Sequence, residues 1–266
     1  MINFLNKNYF DLEKVAVLNN ENYMNAKPFP NITFDNFFNE EVLEKILENF
    51  PSNLNEVGNK YDTKAEKKLS LNDPLKFSIE TNNFINYLNS APFVKFLNKL
   101  TGIKETLITD PYLLGGGLHE LRNDGYLNVH ADFNQHPSMK LDRRLNILIY
   151  LNKNWKNKNG GELELWDREM TKCVKNILPI FNRMVIFSTT DFSYHGNPNK
   201  VKVDNDFSRK SIALYYYSNG RPSSERELGL HSTIFRQRPG TDDVDGNLEF
   251  KKLFGKIYLK TKKKVV

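Results

Sequence analysis

The sequence predicts an α+β protein whose centre is a β-sandwich or jelly roll, flanked by N-terminal helices and followed by a short C-terminal helix. Three observations carry that expectation. Helical hydrophobic spacing is confined to the first hundred or so residues and to the C-terminus. Between residues 107 and 218, six or seven short strand-like runs follow one another without a helical period between them. Each such run must share its buried face with a second sheet. The expected organisation is one structural domain in three portions: a helical portion at 1–105 packed on the core, the β core at 106–222, and a C-terminal extension at 223–266 with a lysine-rich tail.

The elements follow in order. Asn39 is placed to cap a helix over Glu40–Asn49, where Val42, Leu43, Ile46, Leu47 and Phe50 recur at helical spacing and Glu40 and Glu41 suit the positive N-terminal end. Ser52–Asp73 is polar, mixed in charge and without period, which predicts a long exposed loop of the kind that covers sites. A second helix is predicted over Asn83–Leu100, with Ile85, Leu88, Phe93, Phe96 and Leu97 inward and Gly102 as its stop. Predicted strands are Leu107–Leu114, Tyr126–Asp132, Arg144–Leu151, Glu162–Trp166, Lys172–Ile177, Met184–Ser188 and Ser211–Ser218, with Gly160-Gly161 and Asn197-Pro198 among the breakers. Leu248–Leu259 reads as the terminal helix.

Composition narrows the function classes. The 266 residues are 39% hydrophobic and 26% charged, and no run approaches the roughly 20 apolar residues of a membrane span. Nothing in the first thirty residues resembles a secretory signal, so the cytoplasm is the expected location. Cys173 is the single cysteine, which excludes internal disulfides and any thiolate-rich zinc or iron–sulfur site. The net charge of +6 is smaller than the charge of the seven lysines in the last sixteen residues. The basic character therefore belongs to a tail, and a nucleic-acid-binding groove is not expected.

One set of polar residues sits where a pure β core would not want it. His130 and Asp132 are two apart, so on an extended strand they leave from one face and reach a common cation. His195, in Tyr194-His195-Gly196, is the candidate third ligand; His136 competes but precedes Pro137 in a turn. Two imidazoles and a carboxylate on one face of an octahedron leave three positions open, as in non-haem Fe(II) oxygenases. Arg209 opens a strand fourteen residues after His195, and Arg209 and Ser211 share a face on which guanidinium and hydroxyl can grip one carboxylate. A buried arginine needs an anion, which a dicarboxylic cosubstrate supplies while its other end binds the metal. The plainer alternative for Arg209 is a strand-end cation paired with a surface acid.

From about Gly115 to Pro222, roughly 40% of the chain, the sequence resembles the 2-oxoglutarate- and Fe(II)-dependent dioxygenases, most closely the prolyl 4-hydroxylase-like branch. The matching residues are Gly125-Tyr126-Leu127-Asn128-Val129-His130-Ala131-Asp132; Arg144 to Asn152 with Trp155 and Gly160-Gly161-Glu162-Leu163; Phe181 to Phe187; His195; and Arg209 to Tyr217. The resemblance implies a double-stranded β-helix, with iron held by His130, Asp132 and His195 and the distal carboxylate of 2-oxoglutarate paired with Arg209. It aligns Tyr150 with a tyrosine that touches the same carboxylate, the alternative being a core tyrosine. Asn146, four residues earlier on that strand face, is placed to line the cosubstrate pocket.

The implied activity is hydroxylation of an unactivated C–H bond, with conversion of 2-oxoglutarate and O2 to succinate and CO2, and with ascorbate as an optional reductant. A prolyl residue in a protein or peptide is the implied substrate, with the 52–73 and 196–208 segments as walls of its cleft. A free amino acid, another small molecule or a non-catalytic jelly-roll binding module are the alternatives. Asp132 favours hydroxylation over halogenation, since halogenating relatives lack that carboxylate. Nucleic-acid repair is disfavoured, because the second arginine of those relatives is Tyr215 here. His119 is either a cosubstrate contact or a core residue, and His231 receives no role.

Overall fold

A computed structural model of the chain describes residues 3–204 and 207–244. Its elements in chain order are α1 (Leu12–Met24), β1 (Asn31–Asp35), α2 (Glu40–Glu48), α3 (Leu54–Val57), β2 (Asn59–Asp62), β3 (Glu66–Leu71), α4 (Ile79–Leu88), α5 (Ala91–Thr101), β4 (Ile108–Thr109), β5 (Gly117–Leu121), β6 (Tyr126–Ala131), β7 (Asp142–Tyr150), β8 (Leu163–Trp166), β9 (Cys173–Ile177), β10 (Arg183–Ser188), β11 (His195–Asn197), β12 (Arg209–Ser218) and β13 (Ile234–Phe235). Among the described residues no helix is long and apolar enough to cross a membrane.

The strands pair antiparallel in the order β1-β10-β7-β12-β5-β3-β6-β11-β8-β9, with β13 added to β6, β2 to β3 and β4 to β12. β3 pairs with β5 through Leu69–Leu71 and with β6 through Glu66 and Lys67. It is thus the seam between a leaf centred on β7 and β12 and a second leaf centred on β6 and β11. The sheet curls into the expected jelly roll, and the two leaves face each other across the site.

Alternation along the long strands decides what each face does. Leu145, Ile147 and Ile149 of β7 and Ile212, Leu214 and Tyr216 of β12 enter a core shared with Phe84 and Leu88 of α4 and Phe93, Phe96 and Leu97 of α5. Each of these fully buried aliphatic side chains contributes about 1.5–3 kcal/mol. The opposite set, Asn146 and Leu148 of β7 with Arg209, Ser211 and Tyr215 of β12, lines the inside of the curl. One face of the main leaf therefore holds the helices and the other holds the chemistry.

Two helix signals are met as read. Asn39 Oδ1 accepts from the Glu41 N–H at the start of α2, and Gly102 ends α5 in the left-handed conformation at φ 67°. The helix predicted over 83–100 is two helices, α4 and α5, broken at Asn89-Ser90. Pro92, which lacks an N–H, is tolerated only in a first turn, and it forces the second start. α1 escaped the sequence reading because its apolar residues do not form one stripe: Ala16 and Tyr23 are buried while Val17 and Leu18 face outward.

Other expectations are corrected. Residues 52–73 are not a loop: they hold α3, β2 and β3, whose strands are too polar to show a period and form because neighbouring strands supply their pairing. The N-terminal portion, expected to be helical, gives three strands to the sheet, β1 pairing with β10 through Asn31↔Phe187 and its neighbours. The strand read over 107–114 shrinks to Ile108–Thr109, since the Asp110 carboxylate accepts the Tyr112 and Leu114 N–H groups and turns the chain. β5 (Gly117–Leu121), which holds His119, is not among the predicted strands. The predicted helix 248–259 and the lysine tail lie outside the described residues.

Candidate active site

Strand pairing brings together residues far apart in sequence. His130 on β6 lies directly opposite His195 on β11, with ring centroids 4.5 Å apart. Asp132, just past β6, closes the triangle, with Oδ1 3.6 Å from His130 Nε2 and Oδ2 3.4 Å from His195 Nε2. One ligand atom from each residue lies within 4.8 Å of the others. The imidazoles are buried and the Asp132 side chain is 11% exposed.

Backbone carbonyls orient both rings. His130 Nδ1 is 2.8 Å from Asn128 O and His195 Nδ1 is 2.9 Å from Ser193 O. A carbonyl can only accept, so each Nδ1 carries the proton and each Nε2 turns a lone pair into the triangle. Burial pushes the His195 imidazole down to about 4, keeping it in the neutral form a metal requires. Burial alone would raise the Asp132 carboxyl, but the Arg143 guanidinium at 3.0 Å, with His195 and His130, holds it well below the usual carboxylate range.

The second half of the site is cationic. Arg209 is 3% exposed, donates from Nε to Gly161 O at 2.7 Å and lies 4.9 Å over the Tyr150 ring. Among the described residues no carboxylate comes within ion-pairing distance of it, and burial lowers its pKa from the ordinary guanidinium value. The Tyr150 hydroxyl is buried with no hydrogen bond of normal geometry. Ser211 stands opposite Tyr150 on β7 and opposite His119 on β5. Arg209, Ser211 and His119 meet the His–Asp–His triangle in one cavity of about 230 Å³, whereas Tyr150 lies against the Arg209 guanidinium and is not among the residues lining that cavity.

Residues 116–217 match the 2OG-Fe(II) oxygenase superfamily. The chain carries a 2OG-Fe(II) oxygenase domain. Over that stretch, which is less than half of the chain, it is similar to enzymes that use Fe(II), 2-oxoglutarate and O2. Solved structures agree on the fold. A prolyl-4-hydroxylase from Pseudomonas putida superposes with a TM-score of 0.55 at 13% identity, over 79% of this chain and 100% of that one. A prolyl hydroxylase from Trichoplax adhaerens, solved with a hypoxia inducible factor peptide fragment, gives 0.55 at 20% identity, over 83% and 94%. The donors of the oxygenase domain fit both groups: two imidazole lone pairs and a carboxylate suit Fe(II), while a buried guanidinium with no carboxylate at ion-pairing distance among the described residues, and a buried tyrosine hydroxyl beside it, suit a dicarboxylate.

The remaining expectations divide. Asn146 reaches the cavity wall, but its amide is engaged: Oδ1 accepts from Arg143 Nε at 3.0 Å and Nη2 at 2.8 Å, and Nδ2 donates to Asp132 Oδ2 at 2.8 Å. It stands on the cavity wall as expected, with one Nδ2 hydrogen and its Oδ1 already engaged by Asp132 and Arg143. His119 lines the cavity, its Nε2 3.0 Å from Gly115 O, and burial pushes it down to about 3. His136 is away from the triangle: its Nδ1 accepts the Ser138 and Met139 N–H groups. His231, given no role, ties residues 228–232 to the core through Asp191 at 2.9 Å.

Several residues of the site were missed. Gly160-Gly161 was read only as a turn, yet Gly161 at φ 67° gives its carbonyl to Arg209, and a Cβ there would meet Arg209 Cδ at 2.9 Å. Tyr61, Glu66 and Lys68 come from the supposed loop, and Thr233 and Phe235 from the C-terminal extension. Phe235 pairs with His130 across β13 and β6 and its ring lies 5.4 Å from the imidazole. Only Gly161 left a sequence signal, as the second glycine of a pair before a strand.

Proposed function

We propose that this oxygenase hydroxylates an unactivated C–H bond of a prolyl residue in a protein or peptide, with 2-oxoglutarate converted to succinate and CO2. The observation that carries the reading is the sharing of one cavity by a buried His–Asp–His cluster and a buried guanidinium that has no carboxylate at ion-pairing distance among the described residues. The prolyl part is supported by the fold shared with prolyl hydroxylases and by a cavity lining that includes the rings of Tyr61 and Phe235, aromatic surface suited to a pyrrolidine ring.

In this reading His130, Asp132 and His195 hold Fe(II) through Nε2, a carboxylate oxygen and Nε2. The bound metal supplies the oxygen chemistry that oxidises the C–H bond while the cosubstrate loses CO2. Arg209 holds the distal carboxylate of 2-oxoglutarate, helped by the Tyr150 and Ser211 hydroxyls, in a site dry enough for the charge pairing to be strong. Gly161 fixes the direction of the guanidinium through Nε, leaving its outer nitrogens for the ligand. His119, neutral at ordinary pH, adds no competing charge beside it. Leu148 and Leu163 line the cavity between these groups and exclude water.

The test is succinate release from 2-oxoglutarate with Fe(II), measured against proline-containing peptides, free proline and other amino acids, and methylated oligonucleotides. Stimulation by a peptide, with addition of one oxygen to its proline, is the expected result. Stimulation by the other arms alone overturns the prolyl assignment.

A further inference from the structure

We propose that Arg143 and Asn146 set the binding mode of Asp132, fixing it to offer one oxygen, Oδ1, to the metal. This rests on the reading of His130, Asp132 and His195 as metal ligands. Strict alternation would put residues 143 and 146 on opposite faces of β7. The pairing of β7 with β12 slips between Leu145↔Tyr216 and Arg143↔Tyr217, leaving Arg144 as the extra residue of a bulge. Arg144 is thereby turned outward to Glu105 and Ser218, and Arg143 is brought onto the inner face beside Asn146.

Once inside, the guanidinium of Arg143 is held on every side. Its centre lies 3.5 Å from the Tyr215 ring and 4.6 Å from the Phe133 ring. Its edge donates to Asn146 Oδ1 and pairs with Asp132 Oδ2 at 3.0 Å, and Asn146 Nδ2 donates to that same Oδ2 at 2.8 Å. Both partners converge on Oδ2, which leaves Oδ1 free to face the metal. Turning Oδ2 to the metal as well would break an ion pair and a charge-assisted hydrogen bond in a buried site. A carboxylate fixed to one oxygen keeps a coordination position that two-oxygen binding would fill, and the cosubstrate and O2 together need three. Arg143 and Asn146 are therefore positioning residues for the metal centre.

The experiment uses the full chain with Co(II) in place of iron, reading the dissociation constant and the visible ligand-field spectrum without turnover. Arg143→Met should weaken Co(II) binding about 10- to 100-fold and alter the spectrum toward a higher coordination number. Arg143→Lys, which restores the charge but not the planar fork, should fall between. Asn146→Ala should change the spectrum in the same direction with a smaller loss of affinity. Circular dichroism identifies variants that fold, and if Arg143→Met does not, Asn146→Ala decides. A folded variant with the unaltered protein's affinity and spectrum overturns the proposal. A wild-type protein that binds no Co(II) overturns the metal reading itself, so the two failures are distinguishable.

Discussion

Gly161 and Arg209 are matched in shape: the glycine carbonyl receives the arginine Nε at 2.7 Å, and the missing Cβ leaves room for the arginine Cδ, which it would otherwise approach to 2.9 Å. Arg209→Ala should weaken 2-oxoglutarate binding by about 2–5 kcal/mol, roughly 30-fold or more, with metal affinity little changed. Gly161→Ala adds a Cβ at φ 67°, which should cost about 1–2 kcal/mol of fold stability, and by crowding Arg209 Cδ it should also weaken cosubstrate binding, by less than Arg209→Ala does. Calorimetric titration of the metal-loaded protein under anaerobic conditions checks both. Equal cosubstrate affinity in Arg209→Ala would show that the carboxylate is gripped elsewhere.

Metal binding to the preformed triangle should stabilise the fold. At a free Co(II) concentration 100 times its dissociation constant, the expected gain is about 2.7 kcal/mol. Urea unfolding with and without Co(II) measures it, and a chelator should reverse it. Asp132→Ala should abolish the gain, and its survival there would place the metal at another site.

His119 gives the fold a predictable acid sensitivity. Its imidazole is pushed down to about 3 by burial, from an ordinary 6.5. The unfolded chain therefore binds this proton more readily than the folded one, so the contribution of neutral His119 is fully present above pH 6.5 and is lost as pH falls from there toward 3. In metal-free protein, unfolding free energies across that window should decline less steeply in His119→Gln than in wild type. Parallel curves would rule out His119 as a source of the slope.

Asp191 is fully buried and accepts from Asn134 Nδ2 at 3.0 Å, His231 Nε2 at 2.9 Å and the Leu228 N–H at 2.7 Å. Asp191→Ala leaves these groups without their acceptor and should cost about 3 kcal/mol of stability. Amide exchange should then accelerate over residues 228–236 before it does in β7. Unchanged exchange there would mean that the segment is held by other contacts.

The sequence disclosed the ligands more readily than the elements that carry them. His130 and Asp132 were legible because period 2 is local, and Arg209 and Ser211 for the same reason. β11, which aligns His195 with His130, is only three residues long and owes its extended form to β6 and β8, so it had no pattern of its own. The strands β2 and β3 were unreadable because polar residues on a paired strand look like a loop. Arg143 was invisible for a different reason: a bulge reverses the face on which it falls, and nothing in the order of residues marks where a ladder slips.

The family match ends at residue 217, whereas the wall beside His130 is built from Thr233 and Phe235. Kinship and architecture thus draw different borders around the same chamber. The matched stretch holds every donor atom placed at the iron and the oxo acid, yet the chamber is closed from both sides of it, by Tyr61, Glu66 and Lys68 before it and by Thr233 and Phe235 after it. The residues that close the chamber are thus separable in sequence from those placed to do its chemistry.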